Sequence, residues 1–243
     1  MEHLGPIVLL YVGLPLCVFL LGRLALRMRR QRFPVETEII VAQRLARAVV
    51  AVILVYNAAS ALLRIPGFVH QMALADESTL PLMMGTVAFY LYDSVMLVIY
   101  SQWELTMWLH HLAALGLYAF ATVYNVAHSG LCMALLGEAL VPWGFMLFYL
   151  RASSETKSRG FIAVCIGGMT TLLSRAAMWL FILFVHNTQN LSLLPIPFSI
   201  FINMTLLVGL YLEASWFRLY QRNLSKALQK ETMGTRTPSM LQL

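Results

Sequence analysis

The sequence predicts an all-α membrane protein with seven transmembrane helices. Three observations lead there. The 243 residues are 60% hydrophobic and only 12% charged, with a mean hydropathy of +0.74. A soluble domain of this size is about half apolar and about a quarter charged. Seven stretches reach the roughly 20 mostly apolar residues that a bilayer crossing needs. Fifteen of the seventeen Lys and Arg residues fall on one side of those stretches. The net charge of +6 therefore reflects span ends and not a basic domain, so nucleic acid is not an expected partner.

The elements follow in order. The first span covers 4–24, in MEHLGPIVLLYVGLPLCVFLLG. It has no basic leader region and its apolar run is too long for a cleaved signal, so it reads as a retained helix. Arg23, Arg27, Arg29, Arg30, Arg32, Arg44 and Arg47 separate it from the second span, 45–64, which ends on Arg64. The third span, 82–100, carries Tyr92-Asp93. The short SQWEL turn leads into the fourth, 104–124, whose TMWLHHLAALGLY stretch holds the pair His110-His111. The fifth span, 131–150, reads GEALVPWG around Glu138 and Pro142. The sixth, 161–185, contains Arg175, and the seventh, 197–217, contains Asn203 and Glu213.

Orientation follows from the basic residues. Arg151, Lys157 and Arg159 lie between spans five and six, and Arg218, Arg222, Lys226, Lys230 and Arg236 follow span seven. With the first basic cluster they define a cytosolic side. Glu2, Asp76 and Glu77 fall on the other side. The N-terminus is thus expected to be lumenal or extracellular and the C-terminus cytosolic. Of the sequons at Asn190, Asn203 and Asn223, the last lies on the cytosolic side and should carry no glycan.

Ionisable residues inside spans usually face the interior of a bundle and mark function. At about 1.5 Å of rise per residue, Asp93 and His110 each lie roughly 10 Å in from the basic end. Spans three and four are antiparallel neighbours, so an Asp–His contact across their hairpin is expected. It would fix the imidazole tautomer and raise its basicity. Adjacent histidines point about 100° apart on a helix, so one should face a cavity and the other a neighbouring helix. Pro142 cannot donate to the carbonyl of residue 138, which leaves an acceptor beside the Glu138 carboxylate and implies a polar pocket. Arg175, about 21 Å in, needs an anion, and Glu138, roughly 18 Å in, is nearest in depth.

Other features read as structural. Cys17, Cys132 and Cys165 lie in apolar runs without metal or disulfide spacing. Glu213 sits near a span end, where it can snorkel or pair with Arg218. Tyr100, Trp103, Tyr149 and Trp216 sit at span ends as interface anchors, and Arg64 caps the far end of span two. No metal site is expected, because helical ligand pairs sit at i,i+3 or i,i+4 and no further histidine falls within another predicted span.

The ordered polar set is Tyr92-Asp93, then Trp103 with His110-His111, then Glu138, Pro142 and Arg151, then Arg175. It resembles the TLC domain family, which includes translocating-chain-associating proteins and ceramide synthases. The likeness covers about 40–220. It implies an N-terminal helix and basic linker over 1–33, a six-helix TLC bundle or barrel around a lipid-sized cavity over 34–222, and a cytosolic tail over 223–243. It also implies residence in the endoplasmic reticulum and a part in lipid homeostasis. Ceramide synthases use their paired histidines to transfer an acyl chain from acyl-CoA to a sphingoid amine. Their second HD…D element is missing from LAALGLYAFATVYNVAHSG, which follows His111 here.

The expectation is a protein that binds acyl lipids within the membrane, with acyl-CoA as the donor if it is an acyltransferase. His110 or His111 would then be the base or acyl acceptor and Asp93 its orienter, with Glu138, Arg175, Asn203 and Tyr92 lining the pocket. Membrane lipids are the expected partners, a homodimer is left open, and no cofactor is expected. The rival is a non-enzymatic lipid sensor or cargo-binding protein. A seven-helix receptor or transporter fits less well, because the loops are short, no extracellular cysteine pair is present and no inverted repeat is visible.

Overall fold

The computed structural model describes residues 4–28, 33–65, 67, 77–100, 104–190 and 194–234. Glu2, Arg29, Arg30, Arg32, Asp76, Trp103, Arg236 and most of the SQWEL turn lie outside them, as do Leu191 and Ser192 of one sequon. All regular structure among the described residues is helical.

Six helices are long and apolar enough to cross a membrane, so the chain is a multi-pass membrane protein. They are α1 (Gly5–Arg27), α2 (Val35–Arg64), α3 (Glu77–Ile99), α5 (His128–Ala152), α6 (Arg159–Gln189) and α7, which continues over Ile196–Gly234. Between α3 and α5 runs α4 (Leu105–Tyr124), which carries the histidine pair. It is a 20-residue helix and is not among those six.

Local signals set the boundaries. The extended Pro34 precedes α2, and Glu36 and Glu38 favour the positive end of its dipole. The Ser158 hydroxyl accepts from the Phe161 N–H at the start of α6, satisfying an orphan donor. Asn125 ends α4 in the left-handed region at φ 52°. One tight turn, Gly137–Ala139, interrupts α5 just before Pro142, where the missing amide hydrogen predicts a break.

Helices α2 to α7 pack in a continuous order. α2 lies against α3 and α5, α5 against α6, α6 against α7, α7 against α4, and α4 against α3. α1 packs on α2 and α3. It is tied to α2 by Arg23 and Arg27, each 3.0 Å from Glu38, and its Tyr11 ring fills the space over Gly85 of α3. On α6 the absence of a side chain at Gly168 lets the Tyr220 ring of α7 rest against the backbone. The outer faces are apolar: Leu63, Val123 and Ile196 are among many large exposed hydrophobics. Cys132 and Cys165 are buried and Cys17 is exposed, all as free thiols.

Two predicted boundaries move by ten residues or more. α2 starts ten residues before the predicted 45, so Arg44 and Arg47 lie well inside a helix and not at the edge of a basic loop. α7 runs well past 217, so the predicted tail from 223 begins as helix. His128 and His186 also fall inside helical segments, buried at the end away from the histidine pair.

Candidate functional site

A cavity of about 390 Å³ opens between α2, α3, α4, α5, α6 and α7. That is within the roughly 300–1,000 Å³ range of small-ligand sites. Its rim at the basic end carries the exposed residues Glu104, Arg151 and Leu219. Phe89, Met107, Phe145, Leu147 and Phe148 supply apolar wall. Inside stand His110, His111, Asp93, Glu138 and Arg175, five of the seven predicted site residues.

The first cluster joins α2, α3 and α4. Asp93 is 2% exposed. Arg47 Nε donates to its Oδ1 at 2.6 Å, and Gln43 Nε2 donates at 3.5 Å. The other carboxylate oxygen lies 3.3 Å from His111 Nε2. His111 Nδ1 stands 3.1 Å from Ser94 Oγ. With Asp93 accepting, the proton belongs on Nε2, and Nδ1 is left to accept from the Ser94 hydroxyl. Both nitrogens of His111 are thus occupied, and its side chain is only 3% exposed. The expected Asp–His contact is present, with His111 as the partner.

The second cluster joins α3, α4 and α5. The Tyr90 hydroxyl donates to Glu138 Oε1 at 2.8 Å and stands 3.3 Å from His110 Nε2. His110 Nε2 is 3.8 Å from the same carboxylate oxygen. Tyr90 donates outward, so its oxygen is free to accept from the imidazole. The result is a chain from His110 through a phenol to a carboxylate. The Tyr90 ring meets both histidines edge-on, at 5.7 and 5.4 Å between centroids. His110 also packs edge-on to Trp216 at 5.7 Å. At 21% its side chain is the more open of the pair. Both histidines touch the cavity, and the division of roles lies in their partners.

The third cluster joins α6 and α7 and corrects the predicted pairing of Arg175. Its Nη2 lies 3.0 Å from Glu213 Oε1, to which Trp179 also donates at 3.1 Å. Glu213 is 3% exposed and neither snorkels nor pairs with Arg218. The Arg175 guanidinium lies 5.5 Å from the centre of the Trp216 ring. Trp216, predicted as an interface anchor, is therefore cavity wall.

Two predicted pocket residues lie elsewhere. Tyr92 faces the packing between α1, α2 and α5, and its neighbour on the next face, Tyr90, takes the cavity position. Asn203 exchanges two amide hydrogen bonds with Asn187 of α6, at 2.9 and 3.1 Å, on an exposed surface. Arg44, Arg47, Tyr90, Trp216 and Tyr220 line the cavity and Glu213 pairs with Arg175, positions that sequence reasoning did not assign to the pocket. For Arg44 and Arg47 a signal existed: a helix N-terminus at Pro34 with Glu36 and Glu38 behind it. Among the described residues no group of three or more His, Cys, Asp or Glu is placed to hold a metal ion.

No family model, curated protein or solved structure matches this chain.

Proposed function

We propose that this protein binds an acyl lipid in the cavity between α2 and α7 and acts in lipid homeostasis, as a TLC-type protein of the endoplasmic reticulum. In this reading α4 is a seventh span, α2 to α7 form a barrel, and α1 packs outside it. The basic end faces the cytosol. Membrane lipids and acyl-CoA are its small-molecule partners. One observation carries the reading: an apolar-walled cavity into which His110 opens, backed by Tyr90 and Glu138.

The chemistry such a site supports is acyl transfer from a thioester. His110 takes the proton of an attacking amine or hydroxyl as that atom bonds to the acyl carbon. The carbon–sulfur bond breaks, and the proton passes from the imidazole to the departing thiolate. The Tyr90–Glu138 chain stabilises the transient imidazolium. His111 does not take part; it holds α3 to α4.

The test is purified full-length protein with palmitoyl-CoA and a mixture of long-chain amines and alcohols, read by mass spectrometry. An acylated product, lost in His110→Ala, supports transfer. Co-purified lipid without product supports the second reading, a non-enzymatic lipid sensor. A specific feature favours that rival: Asp93 and Glu138 are both already engaged by neighbours. Neither lipid nor product would overturn both.

A further inference from the structure

The two arginines near the start of α2 are not fully used by the clusters above. Arg44 and Arg47 stand one turn apart on one helix face, and both line the cavity. Arg47 spends Nε on Asp93, while its Nη2 has no hydrogen-bond partner among the described residues; the residue is 7% exposed. Arg44 Nε is buried and equally without a partner there. No carboxylate among the described residues comes within ion-pair distance of Arg44. Its guanidinium rests 4.6 Å from the centre of the Phe148 ring, which fixes its plane without neutralising it. Across the cavity the Tyr220 hydroxyl, on a residue 3% exposed, is a third polar group with no partner among the described residues.

Guanidinium groups are donors only. The half-buried Arg44 has no anion among the described residues, and Arg47 keeps a buried donor beyond the one it gives to Asp93. These donors and a hydroxyl on one apolar-walled space ask for an oxygen anion. Glu104 at the rim does not meet the need, because it is exposed and accepts from Thr106 at 2.8 Å. We infer that Arg44, Arg47 and Tyr220 form an oxyanion subsite, so that the amphiphile bound here carries a carboxylate or phosphate head. The head sits between the rim and His110, and Phe145, Phe148 and Met107 flank its first methylenes. The inference rests on the lipid-binding reading above and adds the charge of the ligand.

The experiment uses the full-length chain in an uncharged detergent. Binding of palmitate, 1-palmitoyl lysophosphatidate and hexadecanol is measured by tryptophan fluorescence, with inorganic phosphate as a competitor. The anionic probes should bind about tenfold or more tighter than hexadecanol, the scale of one charge-assisted hydrogen bond. Arg44→Gln should abolish most of that ratio, and Arg44→Lys should keep part of it. Tyr220→Phe, which removes one oxygen and little volume, should lower the ratio even if Arg44→Gln proves unstable. Competition by phosphate alone supports the subsite and makes a free anion its occupant. Equal affinity for hexadecanol and both anions overturns the subsite and leaves lipid binding standing. No binding of any probe overturns both.

Discussion

Arg47 Nε and Asp93 Oδ1 meet at 2.6 Å with both side chains more than nine-tenths buried. The contact spans two helices, α2 and α3. Removing one partner leaves the other as an uncompensated buried charge, at a cost of about 3–5 kcal/mol. Arg47→Met should therefore lower the melting temperature sharply in detergent. Arg47→Met combined with Asp93→Leu should recover much of the loss. Melting followed by fluorescence size-exclusion decides it: a single variant no worse than the double would refute the pairing.

The counter-ion of Arg175 is open to the same comparison. Glu213→Gln removes the charge that faces it, and Glu138→Gln does not. The first should cost about 3–5 kcal/mol. The second keeps an acceptor for Tyr90 and should cost about 1 kcal/mol or less. Equal losses in a thermal-shift assay would return Glu138 to the role that depth alone gave it.

The two histidines should separate chemically. Diethyl pyrocarbonate attacks accessible neutral imidazoles, so His110 should be modified well before His111. Peptide mapping by mass spectrometry reads the order among the six histidines of the chain. His111→Ala leaves Asp93 and Ser94 each short of a partner and should destabilise by about 1–3 kcal/mol. His110→Ala should fold normally and lose any acyl product. Faster labelling of His111 would reverse the assignment.

Gly168→Ala puts a methyl group where the Tyr220 ring lies. Overpacking of this kind costs about 1–3 kcal/mol. A second change, Tyr220→Leu, should relieve it. If Gly168→Ala melts like the parent protein, α6 and α7 are not in close contact at that point.

Hydropathy located the helices, and the polar outliers located the cavity. Asp93, His110, His111, Glu138 and Arg175 were all legible because a charge in an apolar run stands out. Azimuth was less legible. Tyr90 and Tyr92 are equivalent in composition, and only the packed helix shows which one meets Glu138. Depth failed at the ends. A window that stops at charged residues began α2 at 45, which left Arg44 in a loop and set Arg47 at the edge of a span. It closed α7 at 217, which placed Glu213 near a rim when it lies well within a longer helix. The tight turn Gly137–Ala139 lies just before Pro142, whose missing amide hydrogen acts locally and does not depend on partners.

The internal charges also constrain how the chain is assembled. A lone Asp, Arg or Lys at the centre of an inserting helix costs about 2.5–3.5 kcal/mol. Arg47 is answered by Asp93 on the next helix, and Arg175 by Glu213 on the next helix. Glu138 is answered by Tyr90, made two helices earlier. At these three positions a growing chain therefore never holds an unmatched charge in lipid for longer than the synthesis of one further helix. α2 with α3, and α6 with α7, are natural units of insertion. A ribosome stalled between the members of either pair should expose a helix that slips back out of the bilayer.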